Sequence, residues 1–305
     1  MVARLWRLYG DDRIDFGWTP GGKIFIEHYV DAWNGKPRFG LPTTQPITRI
    51  WLANPKPKSR LTPLATGAEP NFSSDGSRMA FTFEDDSKDR VRDGVFVKDL
   101  LSGKVRSLGD DLSQPVWTPS GDQIAIVKAA GEDGEAVVLL SYPDLKPIRT
   151  LNNYLNPCAV SFSPDGKWFS VENHLSRPLT GSSLAEVLNG SEIKLSYPER
   201  YATPELFDWA PDSRSALFSW RIQNPRNDGD WVREDIGLTQ IPSGQSRWLG
   251  EGTNAQFSAN GRSVLWIVGQ LHHRTGDLVL YDLGKRRVVK RLLRGITGYS
   301  VRRGP

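Results

Sequence analysis

Phe162-Ser163-Pro164-Asp165-Gly166 is the stretch against which the rest of the chain can be aligned. In a Pro-Asp-Gly turn, proline presets φ at the first turn position, aspartate suits the second, and glycine takes the left-handed conformation that closes a three-residue hairpin loop. The stretch therefore joins two antiparallel strands. Related stretches stand at Trp18-Thr19-Pro20-Gly21-Gly22, Phe72-Ser73-Ser74-Asp75-Gly76, Trp117-Thr118-Pro119-Ser120-Gly121, Trp209-Ala210-Pro211-Asp212-Ser213 and Phe257-Ser258-Ala259-Asn260-Gly261. Two of them depart from the pattern, with Ser213 in place of glycine and Ala259 in place of proline. From the last residue of one copy to the last of the next the steps are 54, 45, 45, 47 and 48 residues, a period that belongs to repeat architectures.

An aromatic residue opens every copy, as expected if equivalent rings pack between neighbouring sheets. Each ring removes about 150–250 Å² from water, roughly 4–6 kcal/mol gross, against about 1–2 kcal/mol per residue of backbone ordering, so one repeat should not fold alone. After each turn comes an apolar run of strand length, such as Ile124 to Val127 or Val264 to Val268. A loop and a second hairpin follow, turning at Leu101-Ser102-Gly103, Tyr142-Pro143-Asp144, Leu188-Asn189-Gly190, Pro242-Ser243-Gly244 and Leu283-Gly284-Lys285, with Ala53-Asn54-Pro55 in the first repeat. Four strands per repeat and six repeats predict an all-β chain: a six-bladed β-propeller of four-stranded antiparallel blades that uses residues 1–305 as one domain.

The aromatic-Ser-Pro-Asp-Gly-Lys-hydrophobic pattern, clearest from Phe162 to Trp168, resembles the repeat of TolB-type propellers, relatives of the WD40 class. The resemblance runs from about Phe16 to Leu293. It implies a fold more than a task, since such propellers serve as protein-binding platforms, as gates on serine peptidases and as ligand-binding modules.

With 38% apolar and 24% charged residues and a net charge of +4, the composition is that of an ordinary globular protein and singles out no partner. No run approaches the roughly 20 apolar residues that span a membrane. The N-terminus has no continuous apolar region, so no secretory signal is visible and the cytoplasm is the expected compartment, although a mature exported form would read the same way. Residues 1–15 read as a strand, Leu5 to Leu8, expected to take part in ring closure beside the last blade, followed by a turn at Gly10-Asp11-Asp12. The single cysteine, Cys158, falls on a predicted inner strand and reads as a structural thiol.

Chemistry is sparse. Gly181-Ser182-Ser183-Leu184-Ala185 and Gly244-Gln245-Ser246-Arg247-Trp248 lack the closing glycine of a nucleophile elbow. There is no phosphate loop, no paired-cysteine zinc pattern and no His-Glu-x-x-His run, and no cofactor is expected. The long connections between second and third strands, 27–46, 84–93, 172–183 and 221–234, should emerge on one face. Trp33 and Trp231 lie in polar insertions flanked by Arg38, Arg226 and Arg233, and Arg177 lies in the fourth repeat's connection. Tryptophan and arginine anchor protein interfaces, although each ring could instead fold back over its own loop.

The leading expectation is thus a non-catalytic protein-interaction propeller, a scaffold or accessory subunit of a larger complex. The alternative is a ligand- or metal-binding, hydrolytic propeller with Glu27, His28, Glu172, His174 and His272 at the channel mouth. The C-terminal segment carries Lys285, Arg286, Arg287, Lys290, Arg291 and Arg294, ending in a basic tail over 294–305. It reads either as a charged outer strand that resists edge pairing or as an anionic docking surface, without a nucleic-acid motif to specify one.

Overall fold

The computed structural model describes residues 14–30, 47–54, 60–83, 94–129, 135–154, 157–173, 181–196, 202–223, 231–269 and 275–297. Leu5 to Leu8 and the tail after Thr297 lie outside these residues.

The described residues form six four-stranded antiparallel sheets, each made of strands consecutive in the chain. The first holds β1 (Ile14–Trp18), β2 (Ile24–Val30), β3 (Ile47–Ala53) and β4 (Thr62–Thr66). The second holds β5 (Ala68–Phe72), β6 (Arg78–Phe83), β7 (Gly94–Asp99) and β8 (Val105–Asp110). β9 (Leu112–Trp117), β10 (Gln123–Ala129), β11 (Glu135–Ser141) and β12 (Pro147–Tyr154) make the third. β13 (Pro157–Phe162), β14 (Trp168–Asn173), β15 (Gly181–Glu186) and β16 (Glu192–Ile193) make the fourth. β17 (Ala202–Trp209), β18 (Ser215–Gln223), β19 (Trp231–Gln240) and β20 (Ser246–Glu251) make the fifth, and β21 (Thr253–Phe257), β22 (Ser263–Val268), β23 (Thr275–Asp282) and β24 (Arg287–Thr297) the sixth. The sheets fall into two compact units of three, with the boundary inside β12 at Thr150. No helix occurs among the described residues, so none is long and apolar enough to cross a membrane.

The repeated turn closes as its residues dictate. Gly166, at φ 70°, donates its N–H to the Ser163 carbonyl at 2.8 Å, and the Ser163 N–H reaches the Trp168 carbonyl at 2.9 Å. The Ser163 hydroxyl accepts the Trp168 N–H at 3.0 Å and donates to Asp165 at 2.7 Å, tying the turn to the strand that leaves it. A serine or threonine holds this place in five of the six copies, a signal distinct from the Pro-Asp-Gly turn itself. The two departures leave the turn unchanged: Ser213 donates to the Ala210 carbonyl at 2.9 Å and Gly261 to the Ser258 carbonyl at 2.8 Å. Ser213 accepts a left-handed φ of 60°, and its hydroxyl takes the Asp165 N–H at 3.0 Å, a bond from one turn to the next that glycine could not make.

Within each unit the sheets meet through the rings that open the repeats. Phe72 packs with Phe25, Ile50, Met79 and Phe81 in the first unit, and Trp117 with Ala80, Val95, Val97 and Ile124. In the second unit Trp209 packs with Leu184, Ala216, Phe218 and Trp220, and Phe257 lies against Leu217, Ile236 and Trp266. The side chain of Trp18 is outside the described residues, as is that of Cys158, whose backbone is on β13.

A polar residue just before the ring adds a tie. Asn71 accepts the Trp117 N–H at 2.9 Å, Asp208 accepts the Phe257 N–H at 2.6 Å, and the Trp209 indole donates to Ser161 at 3.0 Å. The inner strands β5, β9 and β21 are bulged, with Glu69, Gln114 and Asn254 at positive φ three residues before the ring.

Candidate functional site

In the second unit the paired strands β18 and β19 run nine and ten residues, beyond the part that packs in the core. Their ladder pairs Ser219 with Ile236, Trp220 with Asp235, Arg221 with Glu234 and Ile222 with Arg233, then shifts register so that Gln223 meets Trp231. Side chains alternate between the two faces of a strand, so this pairing sorts the charges. Glu205 of β17, Ser219, Arg221 and Glu234 share the face that also carries Leu217, Ile236 and Leu238 against the sixth sheet. Arg233 and Asp235 share the opposite face with Trp220 and Ile222, toward the fourth.

On the first of these faces the Arg221 guanidinium is ion-paired to Glu205 Oε2, and the Ser219 hydroxyl donates to Glu234 Oε1. A side-chain hydrogen bond from Thr253 reaches Glu234 as well. Burial pushes the Glu205 carboxyl up to about 7; Arg221 opposes this, while the carboxylates of Glu172 and Glu234 add to it. Burial raises Glu234 too, against the bonds from Ser219 and Thr253 and the charge of Arg221. Glu172, on β14, sits opposite Ser182, whose hydroxyl accepts the Leu206 N–H at 2.8 Å and binds the fourth sheet to the fifth.

On the second face Arg233 forms a fork: its Nε meets Asp235 Oδ1 and its Nη2 meets Oδ2, both at 2.9 Å. The Asp235 side chain is 1% exposed and that of Arg233 37%, so a buried carboxylate holds a half-exposed guanidinium in one orientation. Burial, to which the nearby carboxylates of Glu172 and Glu234 add, is why the Glu205 carboxyl keeps its proton toward neutrality despite Arg221.

A pH dependence follows. Glu205 is protonated in the folded chain but ionised in the unfolded chain between about 4.5 and about 7. The folded state therefore binds the extra proton, and this contribution to stability is complete below about 4.5 and is lost as pH rises to about 7. At 1.36 kcal/mol per pKa unit, and allowing for its partial exposure, the loss is about 2–3 kcal/mol. Thermal melts at pH 5 and pH 8 should differ less for Glu205→Gln than for the native chain; equal differences would remove Glu205 as the titrating group.

The residues singled out from sequence are placed unevenly. Arg233 is in the site, but on a strand: both it and Trp231 belong to β19, because the β18–β19 ladder continues where a loop was expected. Trp33, Arg38, Arg177, Arg226, His174 and His272 lie outside the described residues. Glu27 and His28, expected just beyond a strand, are within β2, which pairs with β3 as far as Val30. Glu27 is fully buried, and its Oε1 accepts the Glu69 N–H at 3.1 Å across the β5 bulge, a structural use of the carboxylate. Among the described residues no three of histidine, cysteine, aspartate and glutamate are grouped so as to hold a metal ion.

Lys285 and Arg286 lead into β24, and Arg287, Lys290, Arg291 and Arg294 are on it; the side chain of Arg294 is outside the described residues. Arg291 pairs with Asp277 at 3.3 Å and Lys285 with Asp282 at 3.7 Å, so acids earlier in the sixth sheet balance part of this charge. Glu205, Arg221, Glu234 and Asp235 were not picked out from sequence. The available signal was charge at successive positions where the strands should alternate apolar with polar.

No family model matches the chain, and no curated protein matches its sequence. Solved structures do. Oligogalacturonate lyase in complex with manganese superposes with a TM-score of 0.63 at 11% identity, covering 93% of this chain and 79% of that one. The β-propeller domain of the Trilobed protease from Pyrococcus furiosus gives 0.58 at 12% identity, over 92% and 84% of the two chains. TolB from Acinetobacter baumannii gives 0.56 at 13% identity over 90% of this chain, which spans 65% of the length of that protein. Identities this low speak for architecture alone, and the architecture is that of a TolB-like β-propeller.

Proposed function

We propose that the chain is a six-bladed, non-catalytic interaction propeller, a scaffold or accessory subunit that docks a protein partner at the end of the second unit where Arg233 stands. The observation that supports this most is the fork between Arg233 and the buried Asp235. A guanidinium already held in one orientation loses little side-chain freedom on binding, and arginine so placed is a frequent anchor of protein interfaces. Trp231, two residues earlier on the same strand, is proposed as a second anchor from its residue type, its side chain being outside the described residues.

The test is to purify the native complex, identify the protein that accompanies the chain, and measure its affinity for variants. Arg233→Lys keeps the charge and loses the fork, and should weaken binding about ten-fold; Trp231→Ala should weaken it by at least as much. Unchanged affinity in both variants, with unchanged melting temperature, would place the partner elsewhere.

One observation favours a second reading. The Glu205 carboxyl, raised to about 7 beside Arg221, has the proton affinity of a general acid or base, which suits a ligand-binding or hydrolytic propeller using Glu172, His174 and their neighbours. Stoichiometric zinc, manganese or calcium in the purified protein would favour this reading over docking.

A further inference from the structure

In the first unit, a cleft of about 510 Å³ opens between the first and second sheets, at the ends where the repeated turns lie. Its floor is apolar, formed by Leu52, Leu64, Phe72 and Leu100. Two lysines border it: Lys23, just before β2, and Lys98, on β7. Lys98 is half-buried, and its ammonium donates to the Leu64 carbonyl of β4 at 2.5 Å, which fixes the side chain over the cleft and leaves two of its three protons to bond elsewhere. Among the described residues no carboxylate lines the cleft, and none pairs with either lysine. Elsewhere in the same unit the pattern differs: Arg78, also partly buried, is balanced by Asp75 and covered by the rings of Trp117 and Tyr142. At the lip of the cleft Leu101 is 96% exposed, an aliphatic side chain left in water beside an apolar floor.

We infer that this cleft binds an amphipathic carboxylate, a small organic acid whose apolar body lies on Leu52, Leu64, Phe72 and Leu100 and whose carboxylate meets Lys98 and Lys23. The volume is that of a small-molecule site, and its walls combine an apolar majority with a few polar groups converging from two sheets. Half-burial of Lys98 strengthens its attraction for an anion, since water screens it less than it would a fully exposed lysine. The exposed Lys23 contributes mainly by steering. Thr62, also in the walls, supplies a hydroxyl that suits a second lone pair of the carboxylate, whereas the Ser102 hydroxyl is committed to Asp99 at 2.7 Å.

The test uses the full chain and three ten-carbon probes, decanoate, decanol and decyltrimethylammonium, in isothermal titration calorimetry. Decanoate should saturate one site, with decanol and the cation at least about ten-fold weaker. Lys98→Met should lower decanoate affinity about ten-fold, Lys23→Met roughly three-fold, and Lys146→Met, in the turn between β11 and β12 of the third sheet, should leave it unchanged. Should Lys98→Met fail to fold, Lys23→Met and the loss of decanoate affinity on raising salt decide the matter. Equal binding of decanol and decanoate would show an unspecific apolar surface and overturn the inference. So would the absence of saturable binding, or lysine variants that bind decanoate as the native chain does.

Discussion

Gly252→Ala should destabilise the chain by about 4 kcal/mol or more, enough to remove most of the stability of an ordinary domain. Gly252 stands between β20 and β21, where the chain crosses from the outer strand of one sheet to the first strand of the next, and its φ of +147° is one that side chains rarely accept. A Cβ built there would lie 2.3 Å from the carbonyl oxygen of Ile267 and 2.5 Å from Cδ1 of Trp266. The backbone cannot swing clear, because the Gly252 N–H is bonded to the Glu234 carbonyl at 2.9 Å. Trp266 cannot yield either: it is buried in the core between the fifth and sixth sheets, with its indole N–H on the Glu251 carbonyl at 3.2 Å.

Gly67, at the matching place between β4 and β5, has a φ of +140° and would put a Cβ 2.3 Å from the Thr82 carbonyl oxygen, so Gly67→Ala should behave alike. Gly103→Ala is the control. It has φ +72° and nothing within 4 Å of the added carbon, so only backbone strain of about 1 kcal/mol is expected. Urea denaturation of the three variants gives the comparison, and a Gly252→Ala midpoint matching that of Gly103→Ala would contradict the crowding argument.

Trp209→Ala is the second large effect, about 3–5 kcal/mol. The ring is almost wholly buried between the fourth and fifth sheets, against Leu184, Ala216 and Phe218, and it carries the tie to Ser161. Trp209→Phe refills much of the volume but loses the indole donor, so about 1–2 kcal/mol is expected, and Ser161→Ala should cost about 1 kcal/mol. That order, measured by chemical denaturation of the full chain, separates packing from the hydrogen bond. Were Trp209→Ala to melt within 1 kcal/mol of the native chain, the rings that open the repeats would not be what holds the sheets together.

These two variants mark what can be seen in the residues alone. Trp209 announces itself because its turn is local chemistry: proline, aspartate and a residue able to take positive φ act within five positions, and their recurrence points to six four-stranded sheets. Gly252 announces nothing, because its constraint comes from Ile267 and Trp266, fifteen and fourteen residues away on a neighbouring strand. The charged site is hidden for the same reason. Glu205, Arg221 and Glu234 sit on three strands, and only the register of those strands puts them on one face. Arg233 was singled out by residue type, as an exposed loop arginine, yet it owes its place to a strand that runs on past the core and to a buried aspartate two positions later. Glu27 shows the converse: a carboxylate that looks available from sequence is fully buried, with Oε1 accepting the backbone N–H of Glu69.

The bonds from Asn71 to Trp117, from Ser161 to Trp209 and from Asp208 to Phe257 each join one repeat to its successor, with the acceptor always on the earlier of the two. The blades are consequently not interchangeable tiles. A shuffled or duplicated copy would arrive with half of a handshake, its own ring facing a neighbour that offers the wrong acceptor, so lengthening or reordering such a chain demands that both members of each seam be transplanted together.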